Sequence, residues 1–399
     1  MKILLANKYF YLNGGSETVF FQERDFLIRS GHEVVDFSMH NERNNLSHYS
    51  SYFVGSRDYH RESGWLQRLK SATSLIHSFE AVKNISRLIE TEKPDIVHCH
   101  NIYHQLTPSI IGAANKLGVP VVLTLHDYKP VCPTYLRLRE GNVCSECLNG
   151  NFRNVVKHRC AEGSYFKSTL LYAEASVQRV LGNYEKVSKV IAPSQFMADS
   201  VEKRFSNEKI TVIHNGIDLN SIKPSNQDSS YALFLGRLSK EKGLASLIEA
   251  YKKHNLNFPL KVCGEGPLDI SSLKPTANIE FLGYQSGKNL KSIIDNASFV
   301  IVPSEWYENC PMSILEAMAY SKAVIAAKIG GIPELISDKE SGLLFESGNI
   351  TELAECIQKL ALDKQLRLKM GINGRRSVES KFSLETHNSK LLNVYNELS

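Results

Sequence analysis

Residues 299–316 read FVIVPSEWYENCPMSILE and decide the fold class more clearly than any other part of the chain. Four consecutive apolar residues, 299–302, predict a short strand that is buried on both faces, as in a parallel sheet. A polar loop follows, and Pro311 fits the first turn of a helix that carries Glu316. A buried strand, a loop and a helix form the repeating unit of a doubly wound α/β sheet, which binds ligands beyond the carboxyl ends of its strands.

The same alternation of strands and helices occurs twice along the chain. The first series of predicted strands covers residues 2–6, 32–37, 96–98, 121–125 and 189–192, with a helix over residues 17–30 that ends at Gly31. The second series follows the polar residues 223–230 and covers residues 231–235, 260–263, 279–282, 299–302 and 323–326. The predicted fold class is therefore α/β, with two Rossmann-like domains facing across a cleft.

The length of the chain agrees with two domains. Its 399 residues exceed the roughly 250–300 at which a single hydrophobic core stops growing. We expect an N-terminal, acceptor-side domain over residues 1–216 with a cysteine-rich insert at 128–163, and a C-terminal donor domain over residues 217–380. A last helix, within residues 381–399, could pack back on the N-terminal domain.

Composition narrows the function. Apolar residues make up 42% of the chain and the net charge is +5, which permits an acidic ligand such as a nucleotide. A nucleic-acid partner is not expected, because the charge is mild and no basic stripe stands out. The sequence shows neither a signal-peptide pattern nor an apolar run of about 18 residues, so we expect a cytoplasmic protein, at most peripheral at the inner face of the plasma membrane.

Two carboxylates flank the start of the helix in the opening segment. Glu308 lies in the loop and Glu316 on the helix, and the backbone N–H groups between them, at Met312, Ser313 and Ile314, are expected to be free. A carboxylate can accept hydrogen bonds from two adjacent sugar hydroxyls, and a helix N-terminus favours negative charge. Either Glu alone would suit a solvated surface, but the pair predicts a nucleotide-sugar site.

Two cations and several strand-end residues fit the same ligand. Arg237 ends a strand directly after Gly236, and Lys242 opens the next helix, so both could neutralise a diphosphate beyond the sheet. The alternative is an ordinary charged loop. Gly14-Gly15 similarly offers a helix N-terminus to an anion or is a bare connection. His126 ends a predicted strand, and we expect it to contact the ligand, whereas His98 is expected to be structural.

These pieces form an ordered set that spans nearly the whole chain. They resemble the family 4 retaining glycosyltransferases of the GT-B fold, the group that includes glycogen synthase and many mannosyltransferases. The matching pieces are Gly14-Gly15, residues 94–100, 124–127, 192–194, 215–218, 236–243 and 264–267, the Glu308/Glu316 pair and residues 330–334.

The resemblance implies a role for each residue. Arg237 and Lys242 would hold the donor diphosphate, Glu316 the ribose hydroxyls and Glu308 the transferred sugar. From the N-terminal domain, His126 would approach that sugar and Gly15 would lie near the phosphates. The expected catalytic set is His126, Glu308, Arg237 and Lys242. The expected donor-binding set is Gly15, Asn215, Gly236, Arg237, Lys242, Gly264, Glu308, Met312, Ser313, Ile314 and Glu316.

One departure from the family leaves the sugar undetermined. The family has Gly-Phe after its first Glu, where this chain has Asn309-Cys310. We expect transfer of a hexose-type sugar from a UDP- or GDP-sugar to a glycan or lipid-linked acceptor, in synthesis of bacterial cell-surface polysaccharide or glycolipid, without a catalytic metal. A nucleotide-sugar 2-epimerase and a noncatalytic nucleotide- or glycan-binding module are the alternatives. A dehydrogenase is disfavoured, because no Gly-x-Gly-x-x-Gly follows the first strand.

Four cysteines cluster in the insert that follows His126. Cys132, Cys144, Cys147 and Cys160 include a Cys-x-x-Cys and resemble a four-thiolate structural zinc site. Free thiols, an iron–sulfur cluster or, in an oxidising compartment, disulfides are the alternatives.

A membrane-facing surface is a further expectation. Trp65, Leu66, Leu69, Ala72, Ile76 and Phe79 recur near helical spacing, and residues 137–167 contain six Arg or Lys against three acids. Such a surface could receive a lipid-linked acceptor, or the helix could simply pack on its own domain.

Overall fold

A computed structural model of the chain describes residues 1–55 and 76–399. The pattern from Trp65 to Ala72 lies outside the described residues. The chain divides into two compact units. The first comprises Met1–Arg137, Cys144–Ile213 and Asn388–Ser399, and the second comprises Leu138–Val143 and His214–His387. The chain passes from the first unit to the second after Ile213, ten residues before the polar stretch begins at Lys223, and returns after His387. The short segment Leu138–Val143 of the insert groups with the second unit.

The first unit is built on a six-stranded sheet. Its strands, in the order β2-β1-β3-β4-β7-β8, all pair in parallel. The strands are β1 (Lys2–Ala6), β2 (Glu33–Phe37), β3 (Ile96–Cys99), β4 (Val121–Thr124), β7 (Lys189–Ala192) and β8 (Ile210–Val212). The insert adds an antiparallel hairpin of β5 (Leu138–Arg139) and β6 (Asn142–Val143).

Helices connect these strands. They are α1 (Gly15–Arg29), α2 (Phe79–Glu92), α3 (Ser109–Lys116), α4 (Arg153–Lys157), α5 (Tyr165–Leu181) and α6 (Gln195–Val201). Short 3-10 turns cover Ser50–Tyr52, Tyr184–Lys186 and Asn207–Lys209.

The second unit repeats the architecture with the strand order β11-β10-β9-β12-β13-β14, again all parallel. Its strands are β9 (Ala232–Leu235), β10 (Leu260–Cys263), β11 (Ile279–Gly283), β12 (Phe299–Val302), β13 (Ala323–Ala327) and β14 (Gly342–Phe345). Its helices are α7 (Leu244–Lys253), α8 (Ile270–Leu273), α9 (Gly287–Asn296), α10 (Met312–Ala319), α11 (Ile332–Leu335), α12 (Ile350–Leu362) and α13 (Lys364–Lys381), and Lys240–Lys242 form a 3-10 turn.

The predicted class of two doubly wound α/β domains is confirmed. The apolar runs are buried as parallel strands should be, and all four residues of β12 are inaccessible or nearly so. The last helix, α14 (Leu384–Asn396), places Leu391, Val394 and Tyr395 in the same core as Ile3 of β1. In the described part of the chain, no helix is long and apolar enough to cross a membrane.

Candidate active site

The order of the strands in the second unit determines where its ligand site should lie. β9 pairs with β10 on one side and with β12 on the other, so the direction of the strand order reverses between β9 and β12. In open α/β sheets, ligands bind at the carboxyl ends of the strands at this reversal. Arg237 and Lys242 follow β9 and Glu308 follows β12, which brings the two predicted groups to the same edge of the sheet.

Lys242 and Glu308 are in direct contact there. The Lys242 Nζ lies 2.6 Å from Oε1 of Glu308, and the Ser304 hydroxyl donates to the same oxygen at 2.7 Å. Burial alone would raise the pKa of Glu308, but the charge of Lys242 and these two hydrogen bonds outweigh it, and the pKa lies below its ordinary value. Glu308 is therefore held as a carboxylate. The Lys242 ammonium also lies 5.1 Å from the centre of the Trp306 ring.

The backbone makes this contact possible. The N–H of Glu305 donates to the carbonyl of Glu241 at 2.9 Å and joins the two loops. Gly243 adopts a left-handed conformation, with φ of 72°, and a Cβ there would lie 1.7 Å from the carbonyl oxygen of Pro303. A larger residue at position 243 would push the loop that carries Lys242 away from the end of β12.

Two further glycines support Glu308 from the other side. Gly330 has φ of 61°, and a Cβ there would lie 2.2 Å from the carbonyl oxygen of Glu308. The N–H of Gly331 donates to that same oxygen at 2.7 Å. Residues 330–334 were predicted only as part of the resemblance. Their contact with Glu308, a positioning role, was not predicted, since sequence spacing does not show that the loop after β13 reaches the loop after β12.

Glu316 differs from Glu308, because its carboxylate has no partner within residues 1–55 and 76–399. It lies half-buried on α10. Among the described residues, no group donates a hydrogen bond to its carboxylate or forms an ion pair with it. Burial raises its pKa to about 7. A half-buried carboxylate without a donor is prepared to accept hydrogen bonds from a ligand.

The start of α10 corrects one expectation. Pro311 occupies the N-cap, one position before the predicted first turn. The Ile314 N–H is not free, because it donates to the Pro311 carbonyl at 3.1 Å, in a tight first turn. Within the described chain, the N–H groups of Met312 and Ser313 have no partner. The predicted set of three free donors is therefore wrong by one.

The remaining donor-site candidates of the second unit are Arg237, two strand-end glycines and Asn215. Arg237 is exposed, and its guanidinium contacts no hydrogen-bond or ion-pair partner within residues 1–55 and 76–399. Gly236 and Gly264 stand at the ends of β9 and β10, where the Gly236 N–H donates to Cys263. Asn215 is buried, and its side-chain amide donates to the Cys310 carbonyl at 2.9 Å. Asn215 thus fixes the loop that carries Glu308.

In the first unit, the strand order reverses between β1 and β3, and the polar residues again gather at that edge. His126 follows β4, and its Nε2 lies 2.9 Å from Nδ1 of His100, which follows β3. Gly15 is the first residue of α1, after an extended Gly14. His98 is fully buried and hydrogen-bonded through both ring nitrogens, so its predicted structural role is confirmed.

Asp127 lies at this edge beside His126, and the sequence predicted its place at the strand end but no role for it. Burial raises its pKa to about 6, against the lowering effect of hydrogen bonds from the Lys129 N–H and the Tyr103 side chain. Its Oδ1 accepts from that N–H at 2.9 Å. The carboxylate therefore caps the turn that leads from His126 into the cysteine-rich insert.

The four cysteines of the insert are not joined in disulfides, and they lie near enough to influence one another electrostatically. Burial, together with the smaller effect of the charges of Cys132, Cys144 and Cys160, raises the pKa of the Cys147 thiol to about 12. Their sulfurs are not drawn together. In the described residues, the group in which three ligand atoms lie within 4.8 Å of one another is Glu23, His98 and His100.

The basic stretch of the insert is not a uniform charged surface. Arg137 is buried, with guanidinium hydrogen bonds to Ser145 and Ser200 and a cation–π contact 4.8 Å from the centre of the Tyr128 ring. Lys167 is paired with Glu162. One of the six predicted surface cations therefore belongs to the interior.

Comparison with known proteins agrees with this geometry. Residues 13–221 match the family model described as Glycosyltransferase Family 4, and residues 218–377 match that of Glycosyl transferases group 1. The chain is 30% identical to the uncharacterized glycosyltransferase MJ1178 of Methanocaldococcus jannaschii, over 84% of this chain and 83% of that protein. It is 26% identical to the alpha-maltose-1-phosphate synthase of Mycolicibacterium smegmatis, over 79% and 82%.

Solved structures show the same fold. HepE of Anabaena, crystallised with UDP and glucose, is similar over the full length of both chains, with a TM-score of 0.69 and 19% identity.

Proposed function

We propose a donor, a mechanism and an acceptor for this chain, which belongs to glycosyltransferase family 4 and is a glycosyltransferase of the GT-B fold. The donor is a UDP- or GDP-sugar that carries a hexose, and the sugar is transferred with retention to a glycan or a lipid-linked acceptor. The observation that carries this proposal is the placement of Glu308, Lys242 and Glu316 around the start of α10. The complex of HepE with UDP-glucose supports a nucleotide-sugar donor.

In this proposal the second unit binds the donor. Glu316 accepts hydrogen bonds from the ribose hydroxyls, because it is half-buried and has no donor of its own among the described residues. Arg237 and Lys242 neutralise the diphosphate, and the N–H groups of Met312 and Ser313 add donors at a helix start. Glu308 accepts hydrogen bonds from the transferred sugar through the oxygen that Lys242 and Ser304 leave unused.

Catalysis is electrostatic. The bond between the sugar and the diphosphate breaks with charge developing on the leaving phosphate, and fixed cations and N–H groups stabilise that charge. The acceptor attacks on the same face with assistance from the donor phosphate, which gives retention without an enzymic nucleophile. No step requires a metal ion. Gly15 and His126 of the first unit contact the phosphates and the sugar, respectively.

The acceptor belongs to synthesis of bacterial cell-surface polysaccharide or glycolipid, at the inner face of the plasma membrane. The basic residues of the insert that remain on the surface, including Arg153, Lys157 and Arg159, support contact with an anionic lipid or a lipid-linked acceptor. Nucleic acid has no place in this proposal.

A structural zinc ion in the insert completes the proposal. Four thiolates at about 2.3 Å from one zinc ion lie about 3.8 Å apart, so binding would draw the present thiols together. This site would be closed and would order the acceptor side without taking part in bond breaking.

The experiment that tests the proposed function supplies UDP- and GDP-hexoses with and without a bacterial lipid-linked oligosaccharide fraction. We expect nucleotide diphosphate and a glycosylated lipid with the anomeric configuration of the donor. A 2-epimerase would instead convert the donor without any acceptor, and a binding module would bind it without turnover.

A further inference from the structure

Glu23 is a buried carboxylate that the proposed donor chemistry does not use. It lies on the buried face of α1 between the core residues Phe20 and Leu27, where the helical period would predict an apolar side chain. Its side chain is 1% exposed, and its Oε2 lies 3.5 Å from Nδ1 of His98 and 3.4 Å from Nε2 of His100. A buried charge is costly unless it is paired, so its place beside two histidines calls for a function.

The two histidines differ in what they contact. Both ring nitrogens of His98 are hydrogen-bonded, Nδ1 to the hydroxyl of Tyr395 at 2.7 Å and Nε2 to that of Thr124 at 2.8 Å. A metal ion bound by Glu23, His98 and His100 would have to displace Tyr395 from Nδ1, and we do not assign one.

His100 instead leads outward to the proposed sugar site. Its Nε2 faces Glu23 and its Nδ1 lies 2.9 Å from Nε2 of His126, with the two rings stacked at 5.2 Å and 20°. His100 is fully buried, while His126 is half-buried at the strand end. Glu23, His100 and His126 therefore form a chain from the core of the first unit to its ligand-binding edge.

The positions of the protons follow from the carboxylate at the buried end. When Glu23 is ionised, its oxygens only accept hydrogen bonds, so the 3.4 Å approach of Oε2 to Nε2 of His100 favours a proton on that nitrogen. In the neutral imidazole, Nδ1 of His100 is then an acceptor and Nε2 of His126 donates to it. The opposite pair of tautomers would place the lone pair of His100 Nε2 against the Glu23 carboxylate. A sugar hydroxyl at His126 would consequently meet Nδ1, the acceptor nitrogen.

We propose that Glu23 and His100 are positioning residues that fix the tautomer and the ring orientation of His126. This inference rests on the proposed function, in which His126 contacts the transferred sugar. It assigns no bond breaking to either residue. Its consequence is that His126 presents an acceptor, rather than a mixture of donor and acceptor, to the sugar.

The test replaces Glu23 by Gln, which keeps the size and removes the charge. An amide can donate to Nε2 of His100 as well as accept from it, so the hydrogen bonds between residue 23 and His126 can run in either direction. The 15N resonances of the His126 ring, assigned by comparison with His126→Gln, should show a pyridine-type Nδ1 in the unaltered full chain and a mixed or reversed pattern in Glu23→Gln. We expect kcat to fall about 10- to 100-fold, by analogy with the loss of a hydrogen-bond partner behind a metal-bound histidine, with nucleotide diphosphate affinity unchanged.

Thr124→Val is the matched control. It removes the hydroxyl that bonds Nε2 of His98 in the same buried cluster but leaves the chain to His126 intact. It should change neither the His126 resonances nor kcat. If Glu23→Gln does not fold, His100→Asn serves instead, because its amide can also donate or accept.

Two results would overturn the inference: an unaltered His126 tautomer in Glu23→Gln, or equal losses of kcat in Glu23→Gln and Thr124→Val. A protein that turns over no nucleotide sugar would remove the proposed function alone, since the 15N pattern still reports whether Glu23 fixes His126.

Discussion

The ammonium of Lys242 lies 2.6 Å from the carboxylate of Glu308, and the two residues follow neighbouring parallel strands at the point where the strand order reverses. This contact is made entirely by groups of the protein. A donor diphosphate therefore meets a lysine that is already oriented, and the cost of ordering its flexible side chain has been met by the fold. The same contact keeps Glu308 ionised, so that it can accept hydrogen bonds from a sugar.

Arg237 and Lys242, together called the phosphate clamp, give the first prediction. Arg237→Ala and Lys242→Ala should each cost on the order of 2–4 kcal/mol in transition-state stabilisation, or about 30- to 1000-fold in kcat/KM, because each removes a fixed charge from the leaving diphosphate. Lys240→Ala is the control, since Lys240 is exposed in the same 3-10 turn. Equal kinetics for all three variants would refute the assignment of the clamp.

Glu316 should make donor binding depend on pH. Its pKa in the free protein is about 7, and hydrogen bonds from ribose would favour its ionised form. The affinity for an intact nucleotide sugar should therefore rise about tenfold from pH 6 to pH 8, as measured by calorimetry. In Glu316→Gln the affinity should be weak and independent of pH over this range. A wild-type affinity that does not change with pH would count against the ribose contact.

Glu316 should also make the free energy of unfolding depend on pH. Donor affinity should rise with pH, whereas the stability of the protein should fall. A carboxyl whose pKa rises on folding, here from 4.5 to about 7, contributes stability that is present below pH 4.5 and is lost as pH rises through 7. In urea unfolding, Glu316→Gln should therefore gain stability relative to the wild type between pH 5 and pH 8. A constant difference across this range would show that burial does not perturb Glu316.

Metal dependence provides the next prediction. Arg237, Lys242 and the helix start supply the charge that Mg²⁺ supplies in many other phosphate-transfer enzymes, so the initial rate should persist in EDTA. A loss of activity that added Mg²⁺ immediately restores would contradict metal-free chemistry.

Zinc in the insert can be tested separately from catalysis. Protein purified without chelators should contain about one zinc per chain, and changing Cys144 and Cys147 to Ser should release it and impair acceptor use while donor binding survives. Cys356→Ser, a change at a half-buried thiol outside the insert, is the control. Metal-free protein together with normal acceptor kinetics in the double variant would rule the site out.

The sequence predicted strands most accurately where the residues of one strand alone carry the signal. The four apolar residues of β12 were predicted with their observed bounds, because a strand buried on both faces is apolar throughout. The bounds of β10 were also predicted, although Lys261 interrupts its apolar residues. The strands β8 and β14 were not predicted. Ile210–Val212 is only half-buried and Gly342–Phe345 opens with glycine, so neither shows that signal.

The residues of the candidate site also divide into those that local sequence predicts and those that it does not. Arg237, Lys242, Glu308 and Glu316 could be predicted because each lies at a strand end or a helix start. The contacts that hold these residues in place could not be predicted. The contact of Gly330 with the Glu308 backbone and the approach of Glu23 to His100 depend on which loops and helices meet in space, and that is set by strand order rather than by local sequence.

The central claim is that Glu316 holds the nucleotide and Glu308 the transferred sugar. The most direct measurement compares Glu316→Ala and Glu308→Ala by calorimetric titration with a nucleotide diphosphate and by kcat with the matching nucleotide sugar. If Glu316 holds the ribose, Glu316→Ala should weaken binding of the nucleotide diphosphate and of the nucleotide sugar alike. If Glu308 contacts the transferred sugar, Glu308→Ala should bind the nucleotide diphosphate normally and lose turnover. Unchanged binding and unchanged kcat in both variants would contradict these two roles.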